Sequence, residues 1–176
     1  MTFRELLTQV REDWKTNHRD WTSPGFRALL AYRLGAWRLT RPPLLRKALY
    51  YPTRTLLRYA RNQYGIELHA TANIGRRVTI AHQGGIVVHP SATIGDDVVI
   101  RQSCTVGAAT FDSYDRAPVL EDDVHLGAGA VVVGGVRVGR GARIGPNAVV
   151  LRNVPPKSLV FTPQSRLIEP SGDQEA

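Results

Sequence analysis

The segment LEDDVHLGAGAVVVGGVRVGRGARIGPNAVVLRNV (residues 120–154) returns an aliphatic residue at every sixth position: Leu120, Leu126, Val132, Val138, Ile144 and Val150. Four residues after each comes a small or β-branched one, at Val124, Ala130, Val136, Ala142, Ala148 and Val154. Gly follows the aliphatic residue at 127, 139 and 145. A six-residue period has a geometric cause. Three short strands joined by tight turns make one triangular coil, and stacked coils set each aliphatic side chain over its equivalent below. The small residue fits the crowded corner, and Gly is expected there for turn angles that other residues avoid. The chain therefore reads as mainly β, a left-handed parallel β-helix.

Upstream, the same pattern appears at Leu68/Ala72, Ile74/Val78 and Ile80/Gly84. It resumes two residues out of step at Val88/Ala92, Ile94/Val98 and Ile100/Cys104. The stretch from Val106 to Leu120 reads as two repeats plus two extra residues, with a protruding loop at 107–118 of the kind that shapes binding sites. The β-helix is assigned to 65–157 and a C-terminal tail to 158–176, the tail losing the repeat after Pro155-Pro156.

Residues 1–64 form a basic, α-helical N-terminal segment. Phe3, Leu6, Leu7 and Val10 recur at helical spacing. Ser23-Pro24 reads as an N-cap followed by Pro at the first helical position. Pro42-Pro43 ends that second helix, and a third is expected from Leu44 to about Arg61, bent at Pro52. This segment holds 13 Lys/Arg against 4 Asp/Glu, so it alone accounts for the net charge of +8 over 176 residues. Arg38, Arg41, Arg46, Lys47, Arg54, Arg58 and Arg61 interleave with Trp37, Leu44, Tyr50, Tyr51 and Tyr59, which suits a peripheral contact with an anionic membrane. The plain alternative is a solvated face on packed helices. Nucleic acid is not expected as a partner, because no helix-turn-helix, finger or RNA-binding signature accompanies the charge.

The remaining composition excludes other classes. The single cysteine, Cys104, precludes an intrachain disulfide, and no Cys/His cluster has metal-ligand spacing, so no metal is expected. No run of eighteen apolar residues is present, and charges at Arg4, Glu5, Arg11, Glu12 and Asp13 do not suit a signal peptide. The expectation is a cytoplasmic protein, with the inner membrane face as the peripheral alternative.

Gly25 to Trp37 (GFRALLAYRLGAW) resembles the helix that precedes the coil in bacterial serine O-acetyltransferases. The resemblance continues through Ile74-Gly75-Arg76-Arg77, His82 with Gly85-Ile86-Val87-Val88, Gln102 to Gly107, Leu126 to Ala130, and Ala148 to Pro156. It implies acetyl transfer from acetyl-CoA to a hydroxyl, in homotrimers or dimers of trimers with active sites between coils. An alcohol is a weak nucleophile and needs a base. His82 matches the family's base, and Glu67 stands where the family has the Asp that orients it. Backbone amides near Val106, Gly107 and Ala108 match the oxyanion donor. Gly107, Ala108, Ala109, Gly127, Ala128, Arg143 and Pro146 match coenzyme A contacts, while Pro163 and Arg166 match the segment that closes over it.

Two departures bear on the acceptor. The family's Asp before the base and His after the loop Arg are Ala81 and Ala117 here. Arg116 remains, and Asp20 matches a further acceptor-binding Asp. A zwitterionic amino acid needs paired charges, so the sequence points elsewhere. The short length, abbreviated basic N-terminus and Ile74-Gly75-Arg76-Arg77 resemble colanic-acid-type exopolysaccharide O-acetyltransferases, which implies a sugar hydroxyl, free or lipid-linked, as acceptor. Serine O-acetylation is the alternative, and a non-catalytic β-helix scaffold the third reading. His69, His89 and His125 read as surface corners, Cys104 as core, and Glu121-Asp122-Asp123 as a solvated turn.

Overall fold

The six-residue aliphatic period builds three parallel sheets. A computed structural model describes residues 1–110 and 116–163. Its strands deal out in rotation: β1 (Ile66–Glu67), β4 (Ile86–Val88), β7 (Thr105–Gly107), β10 (Val131–Val133) and β13 (Val149–Val150) form one face. The second face contains β2 (Asn73–Ile74), β5 (Thr93–Ile94), β8 (Val119–Leu120) and β11 (Arg137–Val138). The third contains β3 (Thr79–Ile80), β6 (Val99–Ile100), β9 (His125–Leu126), β12 (Arg143–Ile144) and β14 (Leu159–Val160). All the ladders are parallel, and the expected aliphatic columns are in register: Ile74 with Ile94 and Leu120, Ile80 with Ile100 and Leu126, and Val88 with Val106 and Val132. These side chains fill the axis and are buried. The architecture is a left-handed parallel β-helix behind N-terminal helices.

The glycines after the aliphatic residues have a different cause from the one expected. At the regular corners of the coil, left-handed backbone falls three residues after the column position, at Arg77, Asp97, Ser103, Asp123, Gly129, Gly141, Asn147 and Lys157. The earlier position is a point of close approach between coils. A Cβ on Gly95 would lie 2.6 Å from the Asp122 backbone nitrogen, and one on Gly139 would lie 2.5 Å from that of Pro156. Acidic corner side chains bind the next coil as well. Asp96 Oδ1 accepts from the Arg76 amide at 2.8 Å, Asp122 Oδ1 from the Asp96 amide at 2.9 Å, and Glu121 Oε2 from the Arg140 amide at 2.8 Å. That last bond, with the Arg137 guanidinium, holds the Glu121 carboxyl below its ordinary value. The acidic run 121–123 is thus an inter-coil clamp, not merely a solvated turn.

Three boundaries shift. Val106 and Leu120 lie on adjacent faces, so fourteen positions cross one side where six suffice elsewhere, and the excursion is one repeat with a longer insertion. The expected loop at 107–118 falls partly on 111–115, outside the described residues. Leu159–Val160 pairs with β12, carrying the prism past the expected end at 157. In the helical segment the break comes at Leu49, between α3 (Pro43–Ala48) and α4 (Tyr50–Tyr64). Pro52 sits in the first turn of α4, where no intrahelical N–H is missed, so it bends nothing.

The remaining helices are α1 (Phe3–Thr16), closed by a Thr2/Glu5 capping box, and α2 (Pro24–Leu39), which starts at Pro24 as expected although the Ser23 side chain makes no cap bond. One buried cluster fixes them to the first coil. The Arg33 guanidinium donates from Nε to Asp13 Oδ2 at 2.7 Å, from Nη1 to the Ile74 carbonyl at 2.7 Å, and from Nη2 to the Gly75 carbonyl. Asn17 donates to the Val78 carbonyl and accepts from the Ile80 amide, both at 3.1 Å. Burial already pushes the Asp13 carboxyl up against the pull of Arg33, so removing the guanidinium strands it. Arg33→Met should therefore lower unfolding stability by ~3–5 kcal/mol, read by urea denaturation. A loss below about 1 kcal/mol would show that the cluster does not tie the helices to the prism.

Candidate functional site

The first corner between β3 and β4 is where the repeat slips, and it carries His82. Gly84 and Gly85 both take positive φ, at 96° and 66°, which turns the chain sharply back into β4. Neighbours grip this turn from two sides. The Gly84 amide donates to the Tyr64 carbonyl at 2.9 Å, the Ile86 amide to the Gly65 carbonyl at 2.9 Å, and the Ser103 amide to the Gly84 carbonyl at 2.8 Å. Gly65, the left-handed cap of α4, is thus part of the support. The imidazole of His82 projects outward and is exposed, and among the described residues it has no hydrogen bond or ion pair.

Glu67 does not meet His82 in this chain. Its Oε1 lies 3.2 Å from Nε2 of His69. The two residues are two apart on an extended segment, so their side chains fall on one side of it. The expected orienting pair is replaced by this local one.

The residues matched to coenzyme A divide into two groups. Gly107 ends β7, and among the described residues a Cβ there would meet only Thr105 Cγ2, at 3.6 Å. Its carbonyl accepts from the Gly134 amide at 2.9 Å, and Gly134 faces Ala109, whose Cβ lies 3.6 Å from where a Gly134 Cβ would be. Arg116 stands the same distance from Gly135 and is exposed. Gly107, Ala108, Ala109, Gly134, Gly135 and Arg116 thus gather at the root of the insertion, with Gly107 buried and Ala109, Gly135 and Arg116 exposed. The Gly134-Gly135 pair was missed from sequence, although the only other Gly-Gly in the chain, at 84–85, shapes the His82 turn.

The second group serves the coil itself. Gly127 packs on Pro146, whose nitrogen lies 2.8 Å from an added Cβ, and the Ala128 carbonyl accepts from the Asn147 amide at 2.8 Å. Arg143 is tied to the Asp123 carboxylate at 3.2 Å and to the Gly141 carbonyl at 3.2 Å. The expected phosphate contact is therefore committed to a neighbouring turn. Asp20 is exposed and likewise engaged locally: its Oδ1 accepts from the Thr22 amide at 2.7 Å and hydroxyl at 2.6 Å, and these bonds hold its carboxyl down. Pro163 is exposed at the end of the described chain, and Arg166 lies outside the described residues.

The other candidates resolve more simply. Cys104 is buried, donates to the Gly127 carbonyl at 3.1 Å and has its thiol pushed up by burial, as a core residue should. His89 is buried, not a surface corner, and its Nδ1 accepts from the Ser91 amide at 3.1 Å. His125 lies 3.5 Å from Asp123, half exposed, with its imidazole pushed down first by burial and then by Arg143. Among the described residues no group of three His, Cys, Asp or Glu side chains is placed to hold a metal ion, and no helix is long and apolar enough to cross a membrane.

Comparison with known proteins agrees with this fold. Residues 117–152 match the bacterial transferase hexapeptide model of six repeats. The serine acetyltransferase of Salmonella typhimurium is 39% identical over 155 residues, covering 86% of this chain and 53% of its own. That of Bacillus pumilus is 34% identical over 151 residues, covering 86% of this chain and 67% of its own. The crystal structure of serine acetyltransferase from Vibrio cholerae superposes with a TM-score of 0.77 at 28% identity, covering 92% of this chain and 68% of that one. The chain spans about half the length of the first curated relatives it matches. None of these findings supports the exopolysaccharide subtype. With the six-residue coil, the Gly-bounded histidine turn and relatives of this closeness in view, the chain belongs to the serine acetyltransferase family of hexapeptide-repeat transferases.

Proposed function

We propose that the protein transfers an acetyl group from acetyl-CoA to the hydroxyl of L-serine. The observation that carries this reading is the exposed, uncommitted imidazole of His82, on a turn fixed from two sides in a chain whose relatives are serine acetyltransferases. In the proposed step His82 takes the hydroxyl proton as the oxygen attacks the thioester carbonyl carbon. The carbon–sulfur bond then breaks, and the proton passes from His82 to the departing thiolate. The Gly107 region supplies the donor for the oxyanion and, with Ala108, Ala109, Gly134 and Gly135, a side-chain-free track for the pantetheine arm. Among the described residues an added Gly107 Cβ meets only Thr105 Cγ2, and Ala109 and Gly135 are exposed, which supports this fit. Gly127, Ala128, Pro146 and Arg143 are retained only as the wall of that track, given their bonds within the coil.

Glu67 orients His82 in this reading only by exchanging its contact with His69, so it acts as a positioning residue. The expectation of a sugar acceptor gives way to serine because of the relatives. Transfer to a different hydroxyl compound stays as the second reading on one observation, Ala81 and Ala117, which remove two polar groups from the positions next to His82 and Arg116. Turnover should occur in a homotrimer. Support for this comes from the outward column Val87, Thr105, Val131 and Val149 on the first sheet, where Val87, Val149 and the adjacent Leu151 are 39%, 58% and 68% exposed.

Three measurements test these statements. His82→Ala should lower the rate of CoA release by about 10²–10⁴ with the circular dichroism spectrum unchanged, and unaltered turnover would remove His82 as the base. Saturable CoA release with L-serine supports the first reading, whereas release with sugars or other alcohols and none with serine supports the second. Light scattering should give about three times the 19.4 kDa chain mass, and a monomer active at the same specific rate would refute the trimer.

A further inference from the structure

We propose that the cleft between α4 and the first coil is a binding site for a phosphoryl anion of diphosphate length. The cleft has a volume of about 450 Å³ and is lined by Arg54, Leu57, Arg58 and Arg61 on the helix and by Glu67, Leu68, His69 and Ala70 on the coil. The cleft shares Glu67 with the proposed catalytic arrangement, but the inference makes no use of the transfer reaction.

The three arginines share a stripe by their spacing of four and then three residues. On α4 the inward face is Thr53, Leu57, Ala60 and Tyr64, and the arginines occupy one flank of it while Leu56 and Tyr59 occupy the other. The arginines thus border a concave cleft whose other wall is the coil, a shape that encloses a small anion and that a flat lipid surface does not enter. The shape of the cleft favours a discrete anion over a lipid surface, the alternative that the vesicle arm of the test addresses.

Charge balance points the same way. No Asp or Glu occurs between Asp20 and Glu67, so α4 carries its arginines without an acidic residue of its own. Like charges at these spacings oppose helix formation, and a bound anion relieves them. The single carboxylate lining the cleft, Glu67, is held at 3.2 Å by His69. Among the described residues none of the three guanidinium groups has an ion pair. Arg61 Nε donates to Asn62 Oδ1, Arg54 to the Tyr50 hydroxyl, and Arg58 has no partner. Seven residues of helix separate the outer two arginines by roughly 10 Å of rise, a span two linked phosphates suit better than one carboxylate. Planar guanidinium forks also match phosphate oxygens in pairs.

The test is calorimetric titration of the full chain with sodium pyrophosphate at low and at physiological salt, beside sedimentation with phosphatidylglycerol–phosphatidylcholine vesicles. One saturating site per chain is expected, weakened roughly tenfold by Arg58→Gln and abolished in the Arg54→Gln/Arg58→Gln/Arg61→Gln variant, whose folding is checked by its melting curve. Arg152→Gln, exposed on a later coil, should bind as the parent does. Absence of saturating heat, or equal binding by the triple variant, would overturn the site. Binding to vesicles without binding to pyrophosphate would also overturn it, assigning the stripe to a lipid surface. Because no acetyl transfer is measured, the outcome is separate from the fate of the catalytic proposal.

Discussion

Everything in the prism follows from the spacing of one coil above the next. Parallel strands stack at about 4.8 Å, and each corner must close within that rise. Side chains at the inner positions then touch their equivalents and form the axial column from Ile66 to Val160. Backbone at the corners is forced against backbone, which is why Gly75, Gly95, Gly127 and Gly139 lack the room for a methyl group. The same proximity lets a short acidic side chain reach the amide of the adjoining coil, so Asp96, Asp122 and Glu121 fasten one layer to the next. Where the chain departs from the six-residue step, the extra residues have nowhere to go but outward. The two departures in the middle of the prism are the His82 corner and the insertion between β7 and β8, and these carry the candidate chemistry.

The periodic part was legible because a repeat states its own geometry. An inward residue recurs at a fixed interval, and the ladders put Leu120, Leu126 and Val132 into register as the interval requires. The glycines were legible by position but not by cause, since sequence alone does not separate an unusual φ from a close approach. Coordinates do: the left-handed residues lie two positions further on, and Arg77, Asp97, Ser103, Asp123, Asn147 and Lys157 show that many residue types adopt that conformation at a turn held by neighbouring coils. The insertion was misjudged because counting sixes along the chain cannot tell whether Leu120 begins the next side or the one after.

Long-range pairings were the least legible. Nothing near Arg33 in sequence announces Asp13, and nothing near either announces the carbonyls of Ile74 and Gly75. A mid-helix arginine ordinarily points to water, and this one is buried because two helices and the first coil converge on it. Within the candidate site, the turn that carries His82 was legible as a Gly-rich break in the repeat, whereas the partner of Glu67 was not. A carboxylate at the start of the coil reaches whichever imidazole lies beside it, and alternation along an extended segment places His69 there.

The helical segment does more than cap the prism. Its last turn delivers the Tyr64 and Gly65 carbonyls to the Gly84 and Ile86 amides, so the His82 corner is positioned partly by α4. The opposite end of that dependence is the Arg33 cluster, which seats α1 and α2 on the first coil, while α2 packs along α4. A shift of the helices would therefore be felt at the turn that carries the imidazole. The basic flank of α4 lies on this same element. Charge at Arg54, Arg58 and Arg61 and the placement of His82 are thus two properties of one helix, joined through Gly65.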